Sequence, residues 1–453
     1  MGGVSSDESR PSQAPVWSSF PPSGSTAWRF AAGLLAVAFA AAGFAIVFRW
    51  ALYALGHVAT GARDIVAMMH GLPLYARLLV PAFGGLLAGG LVLISSRFGS
   101  TQGVSDVMEA VVLGRVRLSL KVTLLKSLAS FCAIVSGGSL GREGPLIQFG
   151  GAIASVISTH LQLSATHSRR LIAAGAAAGF AAAYNTPFAA VLFVIEVVTG
   201  VVVLDAILPA LVATTIATAL VRMAVGEGAI YGQRVFHLEA PLELLAFAGL
   251  GIASALAAQA FMRLLSFGED VFRRSGLGLP WRPALGGLLA GACIAYLPEI
   301  SGNGYEPLNV LLDGEFTPGF VLLLLVGKSL ATTASVSSGS PGGVFTPTLL
   351  IGGATGFLYA WVLSHVAQLG PAGGYALVGM AGAIAASTHA PLMAAVLVFE
   401  LSGDYAIALP LLFATAIATL VSRRLRRDSI YAAELKQRGI AWELTIEGRR
   451  IVQ

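Results

Sequence analysis

Charged side chains are scarce in this sequence. Its 453 residues include 28 Lys and Arg and 23 Asp and Glu, or 11%, against about 25% in typical soluble domains. This shortage argues against a soluble globular enzyme. The only two cysteines, Cys132 and Cys293, both lie in apolar runs, which excludes a disulfide framework. The formal net charge of +5 is small for this length, and the basic residues are scattered, so a nucleic-acid-binding surface is not indicated.

Several long segments of the sequence contain no charged side chain. Residues 30–48 contain no charged side chain, and as a helix they nearly match the bilayer core of about 30 Å. Residues 329–399 also lack Asp, Glu, Lys and Arg, but Gly and Pro interrupt them, so several short or broken helices must share this stretch. The sequence therefore predicts an all-α polytopic membrane protein. Further charge-free windows are residues 171–195, 206–221, 244–262 and 405–422.

Two parts of the chain repeat each other. Lys126 begins the segment KSLAS and Lys328 begins KSLAT, and Pro145 or Pro347 follows each lysine at the same distance. These matches predict two homologous halves. Basic residues precede the first lysine motif and acidic residues precede the second, which indicates that the halves have inverted topology.

The repeat and the flanking composition divide the chain into five parts. Arg423, Arg424, Arg426 and Arg427 directly follow the last apolar window, and the positive-inside rule places that end in the cytoplasm. The Ser-, Pro- and Gly-rich start of the chain reads as a disordered tail. We expect a tail at 1–26, a first membrane repeat at 27–225, a linker at 226–239, a second repeat at 240–422 and a short cytoplasmic segment at 423–453.

Each half contains a Gly/Pro-rich break, at residues 139–145 and 340–347. A proline shortly after glycines is typical of a helix start, where free N–H groups point at whatever precedes the helix. Two such helix starts meeting at the membrane midplane would bind a small anion without a buried cation. Taken alone, either break is equally well an ordinary interruption of a membrane helix.

These motifs resemble those of the CLC family of chloride channels and proton/chloride transporters. Residues 141–145, Gly-Arg-Glu-Gly-Pro, equal the family's GREGP motif, and residues 343–347 fit its GxFxP motif. Asn185-Thr186-Pro187 and the segment Ser429-Ile430-Tyr431 also fit the family pattern. The motif residues expected to support the site are Gly141, Arg142, Pro145, Gly343 and Pro347.

The resemblance implies how the protein works. Glu143 would be the gating glutamate, a carboxylate that occupies the anion's place and swings aside when protonated. Anion binding would fall to Gly144, Val344 and Phe345, and to the hydroxyl of Tyr431, which taken alone reads more readily as an interface anchor. The family also implies a homodimer with one anion pathway in each subunit, and it implies no cofactor or metal. A chain with so short a tail suits a bacterial inner membrane.

The chain departs from the family at two places. The family's GSGIP motif falls at residues 101–105, where Gln102 replaces an anion-binding serine and Ser105 replaces a helix-starting proline. An amide also donates hydrogen bonds, so the replacement is compatible with anion binding, while the selectivity among chloride, nitrate, fluoride and bromide is open. Val197 stands at the family's internal proton-relay glutamate. Because valine carries no proton, we expect passive, channel-like conduction, with proton-coupled antiport as the alternative.

Four other ionisable residues are interpreted as lying within the membrane. Glu196 and Glu400 occupy matching repeat positions, and we interpret them as structural or dimer-facing groups rather than proton carriers. Lys126 and Lys328 either raise the local positive potential or are paired. The seven histidines show no metal-ligand spacing, so an intramembrane enzyme is only a remote alternative.

Overall fold

The fold was analysed in a computed structural model. It describes residues 24–99, 103–114, 117–202, 204–226, 230–232, 234, 236, 243–368, 370–437, 441–445 and 448–452. Gln102 lies outside the described residues. Among those described, seven helical stretches are long and apolar enough to cross a membrane.

The described residues of the first half of the chain form nine helices. The last short helix continues into a π-helical turn, Phe193–Thr199. The helices are α1 Ser25–Thr60, α2 Ile65–Gly71, α3 Leu74–Ser96, α4 Val104–Val112, α5 Leu120–Val135, α6 Glu143–His160, α7 Ala165–Tyr184, α8 Pro187–Leu192 and α9 Leu204–Val225.

Apart from α2, the described part of the second half repeats the same order of long and short helices. A 3₁₀ turn, Pro298–Ile300, precedes its shortest helix. The helices are α10 Glu243–Arg274, α11 Trp281–Tyr296, α12 Tyr305–Leu312, α13 Pro318–Ser337, α14 Phe345–Leu363, α15 Ala372–Thr388, α16 Pro391–Ser402 and α17 Ala408–Leu425.

A short helix and a hairpin follow the second half. The helix is α18, Ile430–Gln437, and the antiparallel strands are β1, Ala441–Thr445, and β2, Gly448–Val452. The hairpin comes after the last apolar span, so it leaves the helical membrane fold unchanged.

Contacts between the halves are reciprocal, as expected for two parts related by a twofold axis. Where α3 crosses α11, a Cβ on Gly85 would lie 2.2 Å from the carbonyl oxygen of Pro283, and a Cβ on Gly287 would lie 2.1 Å from that of Pro81. Both positions therefore require glycine. The all-α fold with two inverted repeats, predicted from the sequence, is confirmed.

The window at residues 171–195 is not a single helix. Helix α7 ends at Tyr184, and Asn185 adopts the left-handed conformation with φ of 62°. In the second half, His389 ends α15 with φ of 59°. The prolines that begin α8 and α16 follow two residues later, because proline suits the first turn of a helix. Absence of charge alone did not reveal this break. The five-part division of the chain stays a prediction.

Candidate functional site: an anion site at the broken helices

The two Gly/Pro breaks meet face to face. Gly141 and Gly343 exchange backbone hydrogen bonds, with N···O distances of 2.7 Å from Gly141 to Gly343 and 2.8 Å in the other direction. Helix α6 begins two residues after the first glycine, at Glu143, and α14 begins two residues after the second, at Phe345. The breaks predicted from the sequence are therefore matched across the pseudo-twofold axis, and they bring two helix N-termini together.

Glu143 caps the opposite helix. One carboxylate oxygen, Oε1, accepts hydrogen bonds from the backbone N–H groups of Phe345 at 2.9 Å and Thr346 at 3.3 Å. The other oxygen, Oε2, accepts from Thr346 Oγ1 at 3.1 Å. The side chain is buried, with 2% of its surface exposed. The carboxylate thus occupies the start of α14, where free N–H groups and the helix dipole favour a negative charge.

Glycine leaves the room that this carboxylate needs. A Cβ on Gly141 would lie 2.2 Å from the Glu143 carboxylate oxygens, and one on Gly343 would lie 2.1 Å from Oε1. Any larger residue at either position would displace the carboxylate or the backbone. The two motif glycines therefore shape the pocket as well as pairing the breaks.

Arg142 does not form the structural pair with Glu143 that adjacency in the sequence could suggest. Its guanidinium lies over the ring of Tyr305, 5.2 Å from the ring centroid, while the Glu143 carboxylate bonds to the start of α14. The two neighbouring side chains point to different partners.

A cavity of about 380 Å³ extends from this site. Three helix N-termini line it, contributing Gly103 and Val104 of α4, Gly144 and Pro145 of α6, and Val344 and Phe345 of α14. The predicted anion-binding residue Tyr431, on α18, also lines the cavity. Of the sequence-predicted anion-binding set, the structure thus brings Gly144, Val344, Phe345 and Tyr431 to one space.

Aromatic rings pack around the site. The Phe345 ring lies 5.6 Å from that of Phe180, centroid to centroid, and the Tyr431 ring lies 6.4 Å from that of Phe193. Phe345 and Tyr431 themselves line the cavity, so their rings give it apolar surface beside its helix N-termini.

Val197 lies away from the cavity wall. It belongs to the π-helical turn, is 1% exposed and is not among the lining residues. The apolar side chain therefore fills core space.

Glu196 and Glu400 each cap a helix in the opposite half of the chain. Their carboxylates bind the first turns of α16 and α8 respectively, which accounts for the structural role expected from the sequence. The hydrogen bonds run from Leu392 N (3.2 Å) and Met393 N (2.7 Å) to Glu196, and from Phe188 N (3.1 Å) and Ala189 N (2.8 Å) to Glu400.

The two motif lysines differ in surroundings although they occupy matching positions. Lys328 is buried and donates to the carbonyl oxygens of Ile300 at 3.0 Å and Gly302 at 2.8 Å. Lys126 lines the cavity instead. Lys328 therefore has the paired environment foreseen as one alternative, and the role of Lys126 at the cavity stays a prediction.

Sequence reasoning missed two residues that hold the site together. Thr346 is the variable position of the GxFxP motif, yet its N–H and hydroxyl both bind Glu143. The Tyr184 hydroxyl lies 3.0 Å from Thr346 Oγ1 and packs beside Phe345. Tyr184 immediately precedes the Asn-Thr-Pro segment, but no local signal shows a partner so far away in the chain.

Comparison with known proteins identifies the class to which this fold and site belong. The family described as voltage gated chloride channel matches residues 84–423. A ClcB-like chloride channel protein of Ralstonia nicotianae is 39% identical over 412 residues, covering 89% of this chain and 95% of the relative. The voltage-gated ClC-type chloride channel ClcB of Salmonella typhimurium is 34% identical over 382 residues, covering 81% and 89%.

Solved structures show the same architecture. A slow cyanobacterial Cl⁻/H⁺ antiporter superposes with a TM-score of 0.77 at 25% identity, covering 90% of this chain and 98% of the other. A CLC-type fluoride/proton antiporter gives a TM-score of 0.76 at 22% identity with the same coverage; this second likeness concerns the fold alone. The chain belongs to the CLC family of voltage-gated chloride channels and related transporters. It is a multi-pass membrane protein and not an enzyme.

Proposed function

We propose that this protein moves chloride or a similar small anion across a membrane, with Glu143 as the gate. The observation that carries the proposal is the position of the Glu143 carboxylate at the start of α14, bound by the Phe345 N–H. A mobile anion would be stabilised there by the same N–H groups and helix dipole. The carboxylate is therefore a competitor for the anion's site, and the two cannot occupy it together.

Protonation provides the switch. A neutral carboxyl group loses most of its attraction to the positive end of α14, so an anion can displace it. The Glu143 side chain then leaves the helix start, and the anion passes between Gly144 and Phe345 into the cavity. Flux should consequently rise as the pH falls. The carboxyl carries one proton each time it moves out in its neutral form.

Whether this proton continues across the membrane depends on a second carrier. Val197 occupies the family's proton-relay position, and its aliphatic side chain cannot carry a proton. We therefore propose passive, channel-like conduction, in line with the names of the curated ClcB relatives. Proton-coupled antiport is the second candidate, because the structural relative at 25% identity is a Cl⁻/H⁺ antiporter. The replacement of the family's serine by Gln102 keeps altered anion selectivity as a third candidate.

The proposal extends to the setting of the protein. The run of arginines after α17, at Arg423, Arg424, Arg426 and Arg427, supports a cytoplasmic C-terminus, and the ClcB relatives support a bacterial inner membrane. The cavity, which Arg426 and Tyr431 line, would then be the cytoplasmic mouth. The family resemblance supports a homodimer with one pathway in each subunit.

Chloride efflux from liposomes tests the proposal. The purified protein is reconstituted, a voltage is imposed with potassium and valinomycin, and external chloride and internal pH are recorded together. We expect chloride to leave while the internal pH stays constant. Protons driven against their gradient would replace channel-like conduction with antiport, and absence of any chloride efflux would refute the function itself.

A further inference from the structure

Two buried tyrosine hydroxyls have no hydrogen-bond partner among the described residues. They belong to Tyr231, which is 1% exposed, and to Tyr305 at the start of α12, which is 8% exposed. The two rings lie 6.0 Å apart, centroid to centroid. The nearby Thr346 hydroxyl is already engaged with Tyr184 and Glu143. A buried hydroxyl without a partner is costly, so both need an acceptor that the described chain does not supply.

Two arginines adjoin these hydroxyls. The Arg142 guanidinium lies over the Tyr305 ring, and Arg49 is within electrostatic range of both Arg142 and Tyr305. Both arginines are partly buried, yet neither guanidinium forms an ion pair or donates a hydrogen bond within the described chain. Like charges held close together repel each other, and a guanidinium can only donate. The tyrosine–arginine group, made of Arg49, Arg142, Tyr231 and Tyr305, therefore combines unused donors with positive charge.

The acidic residues near the tyrosine–arginine group do not cancel its charge. Glu306, on the first turn of α12, lies within electrostatic range of Arg49 and Arg142 but forms no ion pair with either in the part of the chain that is described. The Asp64 carboxylate caps the start of α2, and Lys328 adds a third positive charge nearby. Three cations thus face two carboxylates, which leaves the surroundings favourable to an anion.

The tyrosine–arginine group lies on the side of the gate opposite to the cavity. None of its four members lines the cavity, and Arg142 directly precedes Glu143 in the first break. Arg49 follows the uncharged window 30–48, so it lies about one bilayer thickness from the start of α1. Because the cavity is the proposed cytoplasmic mouth, the group faces the outer side of the membrane.

We propose that the tyrosine–arginine group binds a small monovalent anion just outside the gate. The two hydroxyls donate to the anion, and the guanidinium groups of Arg49 and Arg142 neutralise its charge. The inference rests on the proposed anion transport, for which this site holds the anion that enters once Glu143 moves aside. Arg49, Tyr231 and Tyr305 lie outside the motifs that the chain shares with the CLC family. The site is separate from the start of α14, so it can fill while Glu143 is in place.

Locating bromide in crystals tests this inference. Crystals of the wild type, of Arg49→Gln, and of a variant that combines Tyr231→Phe with Tyr305→Phe are soaked in bromide at neutral pH, and anomalous scattering locates the halide. We expect a bromide within hydrogen-bonding distance of both hydroxyls in the wild type, with the Glu143 carboxylate still at α14. The peak should disappear in the two variants. Phenylalanine keeps the packed ring and removes only the hydroxyl.

Two matched controls separate this site from general effects. Arg63→Gln removes an exposed arginine just beyond the end of α1, and Tyr375→Phe removes a buried hydroxyl that donates to Glu243 at 2.7 Å. Both should keep the bromide peak. In isothermal titration with bromide, the binding event assigned to this site should weaken by about tenfold in Arg49→Gln and by about threefold in Tyr305→Phe alone. The controls should stay within about twofold of the wild type.

Several results would overturn the outer site. They are the absence of bromide between the two hydroxyls in the wild type, or an undiminished peak in Arg49→Gln and in the paired tyrosine variant. If those variants do not fold, Tyr305→Phe decides, and an affinity equal to that of the wild type contradicts the proposal. Failure here differs from failure of the proposed function. Bromide at the Phe345 N–H in Glu143→Gln with none at the hydroxyls removes only the outer site, whereas a protein that neither binds nor conducts halide removes both.

Discussion

The first half of the chain starts its central broken helix with a glutamate, and the second half starts the matching helix with a phenylalanine. Glu143 and Phe345 occupy equivalent positions, each two residues after a glycine that pairs with its counterpart across the pseudo-twofold axis. The two halves repeat the backbone arrangement at this helix start, but they place different side chains there. As a result one half supplies the N–H donors of the site, and the other half supplies the carboxylate that competes for them.

Elsewhere the halves remain equivalent. Glu196 and Glu400 cap each other's short helices, and Gly85 and Gly287 allow the same close crossing of α3 and α11. The comparison teaches that symmetric residues build the scaffold and that a few asymmetric ones perform the function. It follows that substitutions at matched scaffold positions should have matched effects, whereas substitutions at the break should not.

Replacing Glu143 should have the largest effect. Glu143→Gln imitates the protonated, uncharged gate, so we expect anion flux to become nearly independent of pH, while wild-type flux rises on acidification. Glu143→Ala should behave in the same way. The measurement is chloride efflux from liposomes between about pH 3 and 7.5, a range that spans the usual glutamate pKa of about 4.3.

The control for this prediction is Glu269→Gln, which removes a carboxylate from the cavity wall without touching α14. Its flux should keep the wild-type pH dependence. If Glu143→Gln retained that dependence, the gate would have to lie at another residue.

Adding a methyl group at the helix crossing should cause the largest loss of stability. Gly85→Ala and Gly287→Ala each push a Cβ against a backbone carbonyl, which cannot move aside as a flexible side chain can. We expect each to destabilise the protein by about 1–3 kcal/mol or more. Thermal unfolding in detergent measures the effect, with Gly90→Ala as control, because a Cβ there meets nothing within 4 Å. A loss confined to one of the two variants would argue against their equivalence.

Removing the reciprocal caps should cost less and should again be symmetric. Glu196→Ala and Glu400→Ala each leave two backbone N–H groups at a helix start without their carboxylate, and loss of such a helix cap costs about 0.5–2 kcal/mol. The matching Gln variants keep an acceptor oxygen and should lose only part of this stability. The same thermal unfolding series checks both pairs. A change in proton movement with unaltered stability in Glu196→Gln would instead make that residue a proton carrier.

The smallest expected effect is a change of selectivity at Gln102. Gln102→Ser restores the hydroxyl that the family has at this position, and a hydroxyl is shorter than an amide. We expect the relative permeability of chloride, nitrate, fluoride and bromide to shift, with little change in total flux. Anion-exchange rates in liposomes provide the comparison. Identical selectivity before and after the change would show that Gln102 does not face the ion.

Much of this arrangement was predictable from residues alone. The spacing from Lys126 to Pro145, repeated from Lys328 to Pro347, predicted two halves, and the Gly/Pro breaks predicted paired helix starts. The resemblance to the CLC family singled out Glu143 before any geometry was known. Local spacing and composition were sufficient here because helix starts depend on the few residues around them.

What could not be predicted depends on long-range contacts. The Glu434 carboxylate meets Ser105 only because α18 folds back onto α4, and Tyr184 supports Thr346 from the end of another helix. Neither pair has a recognisable spacing in the chain. The partners of Glu196 were hidden for the same reason, and its capping contacts agree with the structural role predicted from its position in the repeat.

The most direct test of the account is to look for an anion at the start of α14. Crystals of the wild type and of Glu143→Gln are soaked in bromide at neutral pH, and anomalous scattering locates the halide. The account predicts a bromide within hydrogen-bonding distance of the Phe345 N–H in the variant and none there in the wild type, whose carboxylate fills the place. A bromide at that position in both proteins, or in neither, would contradict the claim that Glu143 and the transported anion compete for one site.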